Sequence, residues 1–123
     1  RCSCGIPFDW ALAQGYEKIV VIRTRDRAYR KPATDINTAE AVYRRWPAFA
    51  KAVNRIPETY NALCDRLDGL EAIGRVFVQA PERPIEVSRV EGDPEKLGAL
   101  YWQGYTEGLN NIPHLSKYLG IPL

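Results

Sequence analysis

The feature that most constrains the fold is a run of four aliphatic residues near the start of the chain, Ile19 to Ile22. Its β-branched side chains predict a strand over residues 18–24 that is buried on both faces of a parallel sheet. A short helix after Pro7, closed by Gly15, comes before this strand. Helix, glycine and buried strand in this order predict one unit of an open, mostly parallel α/β sheet.

The middle of the chain predicts a helical block. Thr38 caps a first helix that ends near Trp46, because Pro47 interrupts the apolar pattern and starts a second helix. Pro57 opens a third helix, and Gly74 closes it.

The last part of the chain predicts one or two short strands and a long helix. Residues 75–80 form the second strand candidate, and residues 85–88 alternate like a short edge strand. Asp93 is a good N-cap for the last helix, and Pro113 predicts a separate final helical turn. The apolar stripe of the long helix comprises Leu97, Leu100, Tyr101, Tyr105, Leu109 and Ile112. The three glycines in this helix predict close packing against another element: Gly98, Gly104 and Gly108.

Size and charge exclude several classes of protein. The chain has 123 residues, 46% of them apolar and 26% charged, which fits one globular domain or part of one. Its net charge of +2 and lack of a recognisable module give no sign of nucleic-acid binding. The longest apolar run has four residues, whereas a membrane span needs about 20.

Two or three strands make a poor sheet on their own, so we expect the C-terminal portion of a larger α/β domain. The sequence contains no Met, which also suggests a processed piece. We divide it into residues 1–36, a helix–strand unit with a basic loop, and residues 37–123, a helical C-terminal region.

The cysteines and the single histidine suggest neither a disulfide framework nor a metal site. Cys2, Cys4 and Cys64 are odd in number, which fits a reducing compartment and a cytoplasmic location. Two thiols do not fill a structural zinc site, and His114 has no partner at ligand spacing. We therefore expect no metal and no cofactor.

Catalytic motifs are not evident. The nucleophile elbow G-x-S-x-G and the glycine-rich phosphate loops do not occur. Ser116 and His114 stand two residues apart, so they do not face each other on a helix. Asp68-Gly69 lies within the third helix of the block, where a solvated aspartate is the simpler interpretation.

The unusual feature is a basic segment, residues 23–32, in which five of ten residues are cationic. It leaves the carboxyl end of the first strand, the end at which open α/β sheets bind ligands. Arginine and lysine there can hold a phosphate group. The alternative is a solvated loop with some arginines paired to helix carboxylates. Four residues are the candidate substrate-binding residues: Arg25, Arg27, Arg30 and Lys31.

Several longer segments resemble bacterial patatin-like phospholipases, which are serine acyl hydrolases that deacylate lipids. The resemblance covers most of the chain and corresponds to the C-terminal third of such a protein. It is carried by residues 16–32, 45–48, 60–63, 74–78 and 84–105.

The resemblance implies a Ser–Asp dyad, with serine in G-x-S-x-G and aspartate in an Asp-Gly motif. Residues 3–7 match the stretch that follows that motif, which implies that the aspartate precedes Arg1. The chain alone would then be inactive and contain no catalytic residue. It would contribute structure and, through Arg25 to Lys31, a contact with anionic lipid headgroups.

The partners implied are a phospholipid or another acyl-ester lipid and a peripheral membrane surface. An alternative is a non-catalytic interaction module that binds an acidic partner through Arg23 to Lys31. We also expect a homodimer through the Ile19–Ile22 strand, because large bare apolar patches seek cover.

Overall fold

The computed structural model describes residues 5–33, 40–88 and 90–123, which form two compact units. The helical unit consists of residues 5–16, 30–33 and 40–73, and the sheet unit of residues 17–29, 74–88 and 90–123. Each unit thus combines separate stretches of chain, and the basic segment passes from one unit to the other after Tyr29. These units do not follow the predicted division at residue 36. The predicted cap Thr38 lies outside the described residues.

The described residues of the helical unit form the helices α1 (Phe8–Ala13), α2 (Pro47–Asn54) and α3 (Ile56–Ala72). Residues 40–42 are also helical. Both α2 and α3 have a proline in their first turn. Proline is suited to this position, because the N–H that it lacks would have no acceptor there and its φ is already helical. This explains where the two helices begin. The three predicted helices at these positions are confirmed. Gly15 and Gly74 follow α1 and α3 with φ of +77° and +71°, the left-handed conformation predicted for glycines that end helices.

The core of the helical unit is small and centres on α3. Cys64 and Leu67 are fully buried, and Phe8 and Ala50 are 3% exposed. Burying one leucine side chain stabilises a fold by roughly 1.5–3 kcal/mol, so Leu67 is a main contributor. The guanidinium of Arg66 covers the ring of Phe8 at 5.7 Å and pairs with Asp9 at 2.7 Å, which secures α1 to α3.

The sheet unit contains two parallel strands, β1 (Val20–Ile22) and β2 (Phe77–Gln79), in the register Val20 to Phe77. Both predicted strands are confirmed, although they are shorter than the sequence pattern suggested. The predicted edge strand over residues 85–88 is wrong, since these residues have no strand structure. The carbonyl of Ile85 accepts a hydrogen bond from the Arg25 side chain, at 3.2 Å, rather than from a neighbouring strand.

One face of β1 is exposed in the described structure, so the prediction of a strand buried on both faces of a larger sheet stays a prediction. Ile19 is 7% exposed, but Val20 is 39% exposed and Ile22 is 76% exposed. Among the described residues β1 pairs only with β2, and the face that carries Val20 and Ile22 is left exposed. The aliphatic run correctly indicated a strand but not its surroundings.

One long helix, α4 (Pro94–Leu119), completes the sheet unit. The Asp93 carboxylate accepts a hydrogen bond from Glu95 N at 2.9 Å, which confirms the predicted N-cap. The separate turn expected at Pro113 is wrong, because α4 continues through this proline. Pro113 offers no N–H to the carbonyl of Leu109, and Leu109 is 49% exposed, so water can hydrogen-bond in its place.

The close packing predicted around three glycines of α4 is wrong as well. Apart from the neighbouring residues and backbone of α4 itself, no described atom lies within 4 Å of a β-carbon placed on Gly98, Gly104 or Gly108. Among the helices of the described residues, none combines the length and the apolar character needed to cross a bilayer.

Candidate anion-binding edge

The first part of the basic segment forms a turn at the carboxyl edge of the β1–β2 sheet. Arg23 follows β1, donates its main-chain N–H to the carbonyl of Gln79 at 2.7 Å, and is 6% exposed. Its guanidinium donates to the carbonyl of Asp26 at 3.3 Å. The Asp26 carboxylate in turn accepts the N–H of Ala28 at 3.0 Å, an arrangement typical of aspartate in turns. Arg23 and Asp26 therefore shape the turn.

Arg25 and Arg27 are attached to this edge through main-chain carbonyls. Arg25 donates to Ile85 O at 3.2 Å, and its guanidinium lies 5.1 Å from the centre of the Tyr29 ring. Arg27 donates to Val78 O, within β2, at 2.9 Å. A guanidinium has five N–H donors, and these carbonyl hydrogen bonds orient the two groups along the edge. We call these two residues the arginine edge.

Arg30 belongs to the helical unit and is paired with carboxylates. It contacts Asp65 at 2.7 Å and Asp68 at 2.9 Å, both on α3. The hydrogen bond that Arg30 donates to Asp65, the second one that it donates to Asp68 and the charges of both carboxylates raise the pKa of Arg30 above its ordinary value, although burial acts against this. The raised pKa reflects stabilisation of the charged guanidinium by its carboxylate partners, and this linked contribution to stability is lost as the pH rises through that raised pKa.

Lys31 is fixed to α3 as well. The Asn61 side chain accepts the Lys31 N–H at 2.8 Å and donates to the Lys31 carbonyl at 3.0 Å. The Lys31 ammonium lies 4.5 Å from the centre of the Tyr60 ring. The alternative interpretation, in which arginines of the basic segment pair with helix carboxylates, is confirmed for Arg30 by its contacts with Asp65 and Asp68.

The four candidate substrate-binding residues thus fall into two pairs. Arg25 and Arg27 lie on the sheet unit, whereas Arg30 and Lys31 lie on the helical unit. Arg25 and Arg27 lie at the carboxyl edge of the two strands. Whether any of the four binds a substrate stays a prediction.

The other residues considered for chemistry have structural contacts. Asp68 was interpreted as a solvated helical aspartate, but it is paired with Arg30. Ser116 donates its hydroxyl to the carbonyl of Ile121, just beyond the end of α4. Cys64 is a free, buried thiol, while Cys2 and Cys4 lie outside the described residues. Among the described residues, no three His, Cys, Asp or Glu side chains are grouped around a common metal position.

Sequence reasoning missed a groove in the helical unit. Its cavity volume is about 800 Å³, within the range of small-molecule sites. Ala50 is buried at its base, and Arg44, Lys51 and Arg55 line it together with Glu40 and Glu58. The basic residues are spread through the sequence of this block, so no compact motif revealed the groove. With three cations and two carboxylates, its lining has little net charge.

Sequence reasoning also missed an exposed aromatic face on α4. Tyr101 and Trp102 are each 62% exposed, and Tyr105 is 50% exposed. Tyr101 and Tyr105 were interpreted as part of an apolar stripe packed against another element. The signal that could have revealed the face is the presence of three aromatic residues within five positions of one helix.

The described residues form a small α/β structure. One unit contains a parallel strand pair and a long helix, and the other unit is helical. Residues 46–120 match the family model described as Domain of unknown function (DUF6363), and the chain belongs to this family. The matched region starts at the N-cap of α2 and ends at the C-cap of α4, so Arg25 and Arg27 precede it. No curated protein and no solved structure matches the chain.

Proposed function

We propose that this chain is the C-terminal, non-catalytic portion of a patatin-like lipid acyl hydrolase and that its arginine edge contacts the anionic group of a lipid. The resemblance of residues 16–32 and 84–105 supports the class. The single observation that supports the contact is the position of Arg25 and Arg27 at the carboxyl edge of a parallel strand pair, where α/β sheets bind ligands.

The chemistry of the arginine edge suits a phosphate or carboxylate. Arg25 and Arg27 each donate to a main-chain carbonyl, that of Ile85 and that of Val78, and these hydrogen bonds orient their guanidinium groups at the sheet edge. An arginine fork matches the oxygens of phosphate and carboxylate. Arg30, whose charge is already matched by Asp65 and Asp68, has less to offer an anion.

The catalytic part of the proposal concerns the protein that would contain this chain. A Ser–Asp dyad ahead of Arg1 would cleave the ester, and the 123-residue chain would supply part of the surrounding wall. We expect the chain alone to leave a short-chain p-nitrophenyl ester intact. A longer polypeptide carrying G-x-S-x-G and Asp-Gly motifs should hydrolyse it. Hydrolysis by the 123-residue chain would contradict the assignment.

The contact is tested by vesicle binding of the 123-residue chain. Each arginine near an anionic bilayer contributes about 1 kcal/mol, so Arg25→Gln/Arg27→Gln should weaken binding to phosphatidylglycerol vesicles roughly thirtyfold. Binding to phosphatidylcholine vesicles should change little. The matched control is Lys18→Gln/Lys117→Gln, which removes two charges at the amino end of β1, where Lys18 lies 4.7 Å from the Tyr118 ring.

Equal losses in the two double variants would mean that net charge alone governs binding, and the proposed contact would be rejected. If the chain binds an acidic protein with the same dependence on Arg25 and Arg27 but no anionic vesicle, the interaction-module alternative would replace the lipid contact.

We also propose a homodimer through β1. Ile22 is 76% exposed and Val20 is 39% exposed, on a strand with one described partner strand. Ile22→Lys should abolish the dimer in sedimentation velocity, whereas Ile73→Lys, at an equally exposed position of the helical unit, should leave it intact. A monomeric wild-type chain at high concentration would contradict this proposal.

A further inference from the structure

Helix α4 runs antiparallel to the two strands. Near its end, the Tyr118 hydroxyl accepts the N–H of Ile19 at 3.0 Å and donates to the carbonyl of Arg75 at 3.0 Å, just before β1 and β2. Earlier in the helix, the Glu107 carboxylate accepts the N–H of Glu82, which follows β2, at 3.2 Å. The residues of α4 that precede Glu107 therefore lie on the side of the carboxyl edge, as the arginine edge does.

These preceding turns carry a cluster of three aromatic rings that contact one another. The centre of the Tyr101 ring lies 5.4 Å from that of Trp102 and 6.2 Å from that of Tyr105. Trp102 and Tyr105 are 5.6 Å apart. Leu97 and Leu109, which are 45% and 49% exposed, extend the cluster along the helix. We call these five residues the aromatic face.

The polarity of α4 is inverted compared with an ordinary surface helix, which buries its apolar side. Glu107 is 9% exposed and is held by Glu82 N and by the Gln103 side chain at 2.9 Å. Helical spacing places Glu107 opposite Tyr105 and Trp102. The inward side thus carries a carboxylate with hydrogen-bond partners, while the outward side carries rings and aliphatic groups, with the exposed Glu95 two turns before Trp102.

We infer that the aromatic face inserts into the headgroup layer of a lipid bilayer and anchors the chain there. Tyrosine and tryptophan combine an apolar ring with a polar tip, which suits them to the boundary between headgroups and acyl chains. The arginine edge lies on the same side of the sheet unit, and cationic groups beside interfacial rings match an anionic lipid surface. This inference adds a membrane anchor to the proposed lipid contact and rests on that proposal for the choice of a bilayer as partner.

The first test places a fluorescent probe on the aromatic face. Trp10 and Trp46 are 63% and 62% exposed, so both accept phenylalanine without loss of a core contact and leave Trp102 as the single tryptophan. Adding phosphatidylcholine/phosphatidylglycerol vesicles should shift the Trp102 emission to shorter wavelength, and brominated acyl chains should quench it. Binding to vesicles without a shift or quenching would overturn the anchor.

The second test separates the anchor from the proposed headgroup contact. Tyr101→Ser/Trp102→Ser/Tyr105→Ser should weaken binding to neutral and to anionic vesicles by the same factor, about tenfold or more. Trp10→Ser/Trp46→Ser, which removes exposed rings from the helical unit, should weaken neither. The arginine-edge variant should reduce only the preference for anionic vesicles.

Each failure has its own signature. Normal binding by the triple serine variant, once circular dichroism shows its helix content unchanged, rejects the anchor and leaves the headgroup contact standing. If no variant loses the preference for anionic vesicles, the headgroup contact is rejected, while the anchor can still hold. A dimer that depends on the three rings, with no partition into vesicles, would assign the face to a second copy of the chain and overturn the inference.

Discussion

The two halves of the basic segment, only a few residues apart, use their cations in different ways. Arg30 is matched by two carboxylates of α3, and Lys31 is fixed by Asn61 and Tyr60. Arg25 and Arg27 are held by the carbonyls of Ile85 and Val78. The pairing with Asp65 and Asp68 compensates the charge of Arg30, and the carbonyl contacts orient Arg25 and Arg27 at the sheet edge. The comparison teaches that a count of cations in a loop does not indicate how many can bind an anion.

The largest effect on stability should come from the core of the helical unit, which supports Arg30 and Lys31. Leu67 is fully buried on α3, the helix that carries Asn61, Asp65 and Asp68. Leu67→Ala should lower the free energy of unfolding by roughly 2–5 kcal/mol, because it removes buried apolar area and leaves a cavity. Urea unfolding measures this change.

The control for Leu67 is Ile73→Ala. Ile73 follows α3 and is 76% exposed, so its truncation should change stability by under about 0.5 kcal/mol. Similar losses for both variants would show that α3 is not the core of the helical unit.

An intermediate effect is expected at Asn61. Asn61→Ala removes both hydrogen bonds to the main chain of Lys31, and each bond contributes about 0.5–1.5 kcal/mol. We expect a loss of roughly 1–3 kcal/mol in urea unfolding and no change in binding to anionic vesicles. Reduced vesicle binding by this variant would show that Arg30 and Lys31 take part in the lipid contact. It would contradict the difference drawn between them and the arginine edge.

The smallest effect should come from the ion pairs themselves. Arg30 and its partners are partly exposed, and such pairs contribute about 0.2–1 kcal/mol each. Arg30→Gln should therefore lower stability by about 1 kcal/mol, and less at high salt, where screening weakens the pairs. A loss that stays the same from low to high salt would contradict an electrostatic origin.

The elements of this fold were predictable where local chemistry determines them. Pro47 and Pro57 mark helix starts, Asp93 forms the expected cap, and Gly15 and Gly74 end helices with positive φ. These features depend on the backbone preferences of single residues and their immediate neighbours.

Properties that depend on distant residues were not predictable. One face of β1 is exposed among the described residues, and the aliphatic run carries no information about what covers each face of a strand. Residues 85–88 alternate like a strand, but the Ile85 carbonyl accepts a hydrogen bond from the side chain of Arg25, which lies 60 positions away in sequence. Similarly, the stripe on α4 revealed an amphipathic helix without indicating that its aromatic side faces outward.

The same limit applies to the candidate site. The basic segment and its place after β1 were evident from the sequence. Its division was not evident, because α3 holds Arg30 and Lys31 while Arg25 and Arg27 donate to carbonyls of the sheet unit. Asp65 and Asp68, for example, lie more than 30 positions from Arg30 in sequence.

The most direct test of the central claim removes two charges from either half of the basic segment and measures affinity for phosphatidylglycerol vesicles. Arg25→Gln/Arg27→Gln and Arg30→Gln/Lys31→Gln change the net charge equally. We expect the first variant to bind roughly thirtyfold more weakly than the wild-type chain and the second to bind as the wild type does. Equal weakening of the two variants, or a larger loss in the second, would contradict the claim that the arginine edge holds the anion.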